Sequence, residues 1–515
     1  MLPRRLPHGV RIAAPLALLL TLLSILAGCG GASSSSPVAE GPDPATVAPP
    51  TAALYGQAVV RPSGAMKDDV LAAARKVFRV QDPGAELVRL LDRDTSDDVR
   101  FSRDIEPWLG ERVGGFLLLP HAGKEDPDGA AAIAIGDHEA FEKALPRLRR
   151  GQHRAGSYRG VSYDVDDDDS TYGAEVGDFY VVGTLPGLRA AIDASRGERL
   201  ADASRYTDAL DAVPDDALAF AYVDPKTIAD ATSSLPDVPA VSRRTLERLT
   251  KGSPIVASLT ANADEIAIEG SGESQFNDNF SNGAEVTVGQ LPGDSWLALA
   301  TPPIGPIVRE ALDSAGVHDK AAAQVRANLG LDLDRDLLEP LGGLGVFARG
   351  ESPLDLGGGV LLQLTDAVAA QRLVTRIQAI LAAAPNLLVQ PASAGGARGF
   401  QVQIPQSPQP IVVLAKGDRL AAGYAASSAE DLLDPQQRFD ESSTGKAAID
   451  TLGDGYEPSL VVIVPPIVGL LRALDELQIA DLAPAIPYVD AYRSLAIGTK
   501  QDGDRTTVRI VAALR

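Results

Sequence analysis

The phrase VGDFYVVGTLPGLRAAID, Val176 to Asp193, has a counterpart far downstream in KGDRLAAGYAASSAEDLLD, Lys416 to Asp434, with Gly177-Asp178 and Gly183 matching Gly417-Asp418 and Gly423. Earlier in each half, RDIEPWLG (Arg103 to Gly110) matches RDLLEPLG (Arg335 to Gly342). A repeat of this length constrains the fold more than any single motif. One architecture has to satisfy both copies, and each copy has to bury an apolar face.

The elements inside each copy follow from the spacing of apolar residues. GAAAIAIGDHEAFEKAL (Gly129 to Leu145) and GGGVLLQLTDAVAAQRLV (Gly357 to Val374) switch from strand to helical periodicity, with Asp137 and Asp366 standing where a helix N-cap belongs. ALYGQAVVRP, PDDALAFAYVDP, GDSWLALATPP and EPSLVVIVPP each read as a strand closed by proline and followed by a helical pattern. Each half ends in a hairpin, Ile255 to Gly270 and Leu495 to Leu514, the second turning at Asp502-Gly503. Hairpins dominate the connections, so the expected class is α+β: two homologous halves, each a largely antiparallel sheet with helices packed on one face. The boundaries expected are repeat 1 over 52–270, a polar linker over 271–290 and repeat 2 over 291–515.

The residues before the repeats read differently. Arg4, Arg5 and Arg11 precede an uncharged, leucine-rich run from Ile12 to Gly28, the pattern of a secretory signal peptide and shorter than the about 20 residues a spanning helix needs. Leu26-Ala27-Gly28-Cys29 resembles the bacterial lipoprotein box, which implies removal of residues 1–28 and a diacylglyceryl thioether on Cys29, the only cysteine in the chain. Two acyl chains hold a protein stably at a bilayer, where one does so only marginally. Residues 29–51, rich in Gly, Ser, Pro and Ala, read as a flexible tether. The expected location is the cell membrane, lipid-anchored and facing away from the cytoplasm. Net charge is −22, and loss of the three leader arginines makes it more negative still, which disfavours nucleic acid as a partner. LVVIVPPIVGLL (Leu460 to Leu471) is too short to span a membrane and reads as a buried strand turning into a helix.

The repeat phrases resemble a known family, the bacterial domain-of-unknown-function family 3352, whose members are extracytoplasmic and often lipoproteins. Ala53 to Pro62, Pro107-Trp108-Leu109-Gly110, Gly177-Asp178 with Gly183, and Pro214 to Pro225 carry the resemblance. It implies a fold and brings no activity, cofactor or catalytic residue.

Motifs of chemistry are sparse. There is no G-x-S-x-G, and the one S-x-x-K, Ser443 to Lys446, lacks the partner motifs of acyl-transfer enzymes. His121, His138, His153 and His318 have no zinc-pair spacing. In YDVDDDDSTYGAEVGD, Asp164, Asp166, Asp168 and Glu175 fall at the first, third, fifth and twelfth positions of a calcium loop, but Asp169 occupies the position that wants glycine and the flanks read as strands. A solvated hairpin loop explains the same residues. Asp332, Asp334 and Asp336 read as the approach to a turn, with carboxylates in water. Trp108 aligns with Leu341, which assigns it to the core rather than to a sugar platform.

These residues assign no catalytic, cofactor or metal site. The reading favoured is a lipid-anchored envelope protein that binds or scaffolds without catalysis, with an apolar ligand or lipid in view. The other class considered is an envelope hydrolase whose acids, such as Asp178, Asp224 or Asp418, are brought together by the fold. For Asp178 and Asp418 the duplication argues for structure, since a single active site rarely needs two copies.

Overall fold

Every sheet connection that the repeat phrases anticipate is present, and in both copies. The structure, a computed structural model, describes residues 41–515 apart from 95–99, 120–125, 149–153, 166–169, 234–251, 274–284, 353–354, 385–386, 405–406 and 479. Cys29 and the leader lie outside the described residues. The chain divides into two units, Met1–Ser274 and Gln275–Arg515.

In the first unit the strands are β1 (Leu54–Val59), β2 (Leu109–Leu118), β3 (Asp128–Ile135), β4 (Arg154–Tyr158), β5 (Val161–Val165), β6 (Tyr172–Val176), β7 (Phe179–Gly183), β8 (Ala219–Val223), β9 (Ile255–Ala261) and β10 (Glu265–Glu273). They lie in the order β10-β9-β8-β1-β2-β3-β7-β6-β5-β4, antiparallel at every step. The second unit has β11 (Leu297–Thr301), β12 (Leu341–Arg349), β13 (Gly357–Leu364), β14 (Leu388–Ala394), β15 (Ala397–Gln403), β16 (Ile411–Lys416), β17 (Arg419–Tyr424), β18 (Glu457–Ile463), β19 (Tyr492–Asp502) and β20 (Arg505–Leu514). Their order is β20-β19-β18-β11-β12-β13-β17-β16-β15-β14, again all antiparallel and the same order moved on by ten strands. Register shifts recur at the same place, between Leu109 and Val113 in one unit and between Leu341 and Leu344 in the other.

The helices are twinned too. The first unit carries α1 (Gly64–Phe78), α2 (Pro83–Asp94), α3 (His138–Leu148), α4 (Leu185–Ala194), α5 (Ser204–Leu210) and α6 (Pro225–Ser233). The second carries α7 (Ile304–Ser314), α8 (His318–Leu329), α9 (Ala367–Ala382), α10 (Ala426–Leu433), α11 (Ser443–Asp450) and α12 (Val464–Glu476), then a short α13 (Ile486–Val489). Local chemistry starts them as the sequence predicts: Asp137 accepts from the Ala140 N–H at 2.9 Å and Asp366 from Ala369 at 2.7 Å, and α12 has proline in its first turn. No helix among the described residues is long and apolar enough to cross a membrane.

The class is α+β, but helices cover both faces of each sheet rather than one. On β3, Ala130, Ala132 and Ala134 pack with Leu188, Ala191 and Ile192 of α4, whereas Ile133 and Ile135 point the other way, Ile135 to Trp108 and Phe141 of α3. Alternate residues of a strand face opposite sides, so α3 and α4 sandwich the sheet. In the second unit α9 packs on Leu362, Leu364, Val413 and Leu420, while α10 lies against the opposite face, where Leu432 meets Gly359.

Two boundaries also differ from the sequence-based ones. Pro44–Val47, expected within the tether, forms a 3-10 turn capped by Asp43, with Ala45 and Val47 buried in the first core. β10 runs through Glu273, into the expected linker, and Val288–Gln290 at the far end of that linker forms a second buried 3-10 turn. The two turns are twins: Leu200 N–H donates to the Ala48 carbonyl at 2.8 Å, and Phe439 N–H to the Leu291 carbonyl at 2.8 Å.

Candidate functional site

The duplicated wide helical turn before β2 and β12 gathers charge in both units. In the first it spans Phe101–Ile105. The carboxylate of Asp104, itself fully buried, accepts from Arg103 Nε at 2.9 Å, from the Arg100 N–H at 2.9 Å and from Arg147 of α3 at 3.1 Å. These bonds, Arg103 foremost, hold Asp104 well below the usual carboxylate range. The indole N–H of Trp108 donates to the Asp104 carbonyl at 2.6 Å and its ring stacks edge-on with Phe141, so Trp108 locks the turn to α3 from within the core.

In the second unit the twin turn is Leu333–Leu338, capped by Asp332. Its acids, partly exposed, are also paired. Asp332 pairs with Arg326 at 2.9 Å, Asp334 with Arg309 at 3.0 Å and with His318 at 3.2 Å, and Asp336 with Arg335 at 2.9 Å. Arg335 and the Asp332 N–H push Asp336 down to about 2. The contact with Asp334 raises His318 above the ordinary histidine value.

Between this turn and α9 lies a cleft of about 160 Å³, lined by apolar Leu331, Leu337 and Leu373 and by Arg335, Asp336, Arg372 and Arg376. Three guanidiniums face one carboxylate there. Arg372 and Arg376 sit one turn apart on the exposed side of α9, and neither has an ion pair among the described residues. No motif points to them. The signal available in the sequence is a comparison of the charges on the two twin helices.

The acids considered for chemistry have structural partners. Asp178 and Asp418 stand in the tight turns after Gly177 and Gly417, both at positive φ (60° and 62°), where their carbonyls accept from Ile135 N–H at 2.8 Å and Leu364 N–H at 2.9 Å. Each turn thereby ties the end of a neighbouring strand. Asp224 caps α6 through the Lys226 N–H at 3.0 Å, receives the Thr227 hydroxyl at 3.0 Å and is clasped by Arg205 at 2.7 and 3.2 Å. Burial alone would raise its pKa, but these bonds outweigh burial and hold it below the ordinary value. Asp224 is thus spent on its cap and ion pair, while Asp178 and Asp418 serve their turns through the backbone.

Of the calcium-loop residues, Asp166 and Asp168 lie outside the described residues. Asp164 stands near the end of β5, paired in register with Gly173 of β6, and the Glu175 carboxylate faces His138 at 3.4 Å. The flanks are strands, as the spacing predicts. Among the described residues no three His, Cys, Asp or Glu side chains gather as metal ligands do.

Comparison with known proteins gives a family and little else. No curated protein matches the chain. Among solved structures, crystal form IV of TP0453 is 12% identical over 46% of this chain and 83% of that one, with a TM-score of 0.26. Crystal form I of the same protein is 10% identical over 76% and 96%, with a TM-score of 0.17. Likeness at that level transfers neither fold nor ligand. A family model described as "Protein of unknown function (DUF3352)" matches residues 86–514, which includes both copies of the wide turn and most of both sheets. The chain belongs to the DUF3352 family.

Proposed function

We propose that this protein is a lipid-anchored, extracytoplasmic envelope protein that works by binding rather than by catalysis. The segment before Cys29 supports the anchor: a basic flank, an apolar run too short to span and a lipoprotein box stand in the order that export and lipidation need. Use as a binding body is supported by the fate of the acids. The carboxylates of Asp104 and Asp224 are consumed by ion pairs and a cap, and Asp178 and Asp418 stand in twin turns held through their backbone carbonyls, so among the described residues these four are not paired as general acid and base. A large antiparallel sheet present in two copies supplies surface for binding.

Cys29→Ser tests the anchor. The expected result is loss of the protein from the membrane fraction with an unchanged thermal transition, and a variant that still pellets with membranes overturns it. Mass spectrometry of organic extracts, from protein purified without detergent, tests a lipid as the ligand. A stoichiometric lipid supports it, and a clean extract removes it.

A further inference from the structure

The twin helices α3 and α9 differ at the positions that decide whether their cations are occupied. Counting from the caps Asp137 and Asp366, Glu139, Lys143 and Arg147 correspond to Val368, Arg372 and Arg376. In α3, Lys143 is held by Glu139 one turn earlier and Arg147 by the buried Asp104. In α9 the acid is gone, with Val368 in its place at 65% exposure. Asp336, the twin of Asp104, pairs with Arg335 and feels the charge of Arg372, but unlike Asp104 it closes no ion pair, among the described residues, with the helix behind it. The nearby acids Asp332, Asp334 and Glu339 are engaged by Arg326 and Arg309. The same scaffold is therefore charge-closed in the first unit and leaves two arginines without an ion pair in the second, Arg372 donating through Nε to the Val368 carbonyl at 3.4 Å, in a protein of net charge −22.

We propose that the cleft between the Leu333–Leu338 turn and α9 binds a small amphiphile bearing a phosphate monoester. Its two surplus positive charges match a dianionic phosphate, whereas a carboxylate or a diester would leave one guanidinium uncompensated. Guanidiniums one helical turn apart converge on a tetrahedral group with oxygens in several directions. Leu331, Leu337 and Leu373 supply the wall for the apolar part. The exposed Val368 and Ile380 continue the same side of α9 beyond the arginines, so a chain leaving the cleft meets apolar surface rather than charge. This inference does not rest on the lipid anchor and stands or falls separately from it.

Calorimetric titration of the full chain with dihexanoyl phosphatidic acid, below its micelle-forming concentration, tests the site. Dihexanoyl phosphatidylcholine and inorganic phosphate are the comparison probes. Saturable binding of phosphatidic acid that weakens with salt is expected, with both comparison probes bound at least about tenfold more weakly. R372A/R376A should lower the affinity by about tenfold or more. V368E, which restores the acid of the first unit at an exposed position, should lower it as well while leaving the melting transition in place. Equal binding of inorganic phosphate overturns the amphiphile. Equal binding of phosphatidylcholine overturns the monoester. Absence of binding, or unchanged affinity in both variants, overturns the site.

Discussion

Asp224 illustrates how a residue that looks like chemistry is spent on structure. Its carboxylate serves a helix cap, a hydroxyl and a guanidinium at once. Its twin position is Val464 and that of Arg205 is Thr444, so the pair is absent as a pair from the second unit. Asp224→Ala should cost about 2–4 kcal/mol, from a lost cap and a lost charge-assisted bond. Because the folded pKa lies below the unfolded one, this contribution is present above the ordinary carboxylate range and lost as pH falls through the folded value. Urea melts should show a gap between wild type and variant that is wide at neutral pH and narrows in acid; a gap that stays constant would assign the loss to packing. His318 runs the opposite way. Its folded pKa is raised by Asp334, so its contribution is complete below the ordinary histidine range and lost as pH rises through the folded value. An NMR titration should place it above a free histidine, and Asp334→Asn should bring it down. The cap aspartates Asp137 and Asp366 are legible in sequence because a short side chain reaches a backbone N–H three residues on. The Asp224–Arg205 pair is not, because the fold alone brings together residues 19 apart in the chain.

At the level of elements, strand-to-helix switches are readable because periods of two and of 3.6 differ sharply over a few residues. Which faces those strands bury is less readable, although β3 carries the signal. Its run Ala-Ala-Ala-Ile-Ala-Ile is apolar on both parities, the mark of a strand covered on two sides. The folded body begins earlier than composition suggests, at Pro44, for a related reason. Proline and alanine in PATV suit a flexible linker by composition, yet small apolar side chains also fill a buried 3-10 turn, and only contact with the first core decides between them. The α9 cleft was illegible to motif reading since it is defined by what is missing, an acid at position 368. Two substitutions test the element packing. Asp366→Ala should cost about 1 kcal/mol through the lost cap of α9. Gly423→Ala should cost about 1–3 kcal/mol, because an added Cβ on β17 would press into the backbone of α10 at Ser428 and Ala429. Thermal melts of the two variants check both, and a neutral Gly423→Ala would mean that α10 is free to retreat.

Over the whole molecule, the repeat visible in a few phrases is the repeat of a topology, among the described residues ten strands in one lateral order followed by ten more in the same order. Fragments of sequence carried it because Gly-Asp turns and a conserved spacing of strand and helix tolerate little variation, whereas the facing side chains have diverged. Each unit has its own buried cluster: Tyr55, Phe116, Phe179 and Leu188 in the first, Leu364, Val374, Phe400 and Val413 in the second. Each is also of ordinary domain size. Residues 41–273 and 285–515, expressed separately, should therefore each fold with a cooperative thermal transition and a fixed near-ultraviolet circular dichroism signal. The second fragment alone should retain the arginine cleft, because all its lining residues fall between Leu331 and Arg376. If one fragment kept secondary structure while its aromatic signal was lost, its core would depend on the rest of the chain, and the duplication would describe ancestry of sequence without independence of folding.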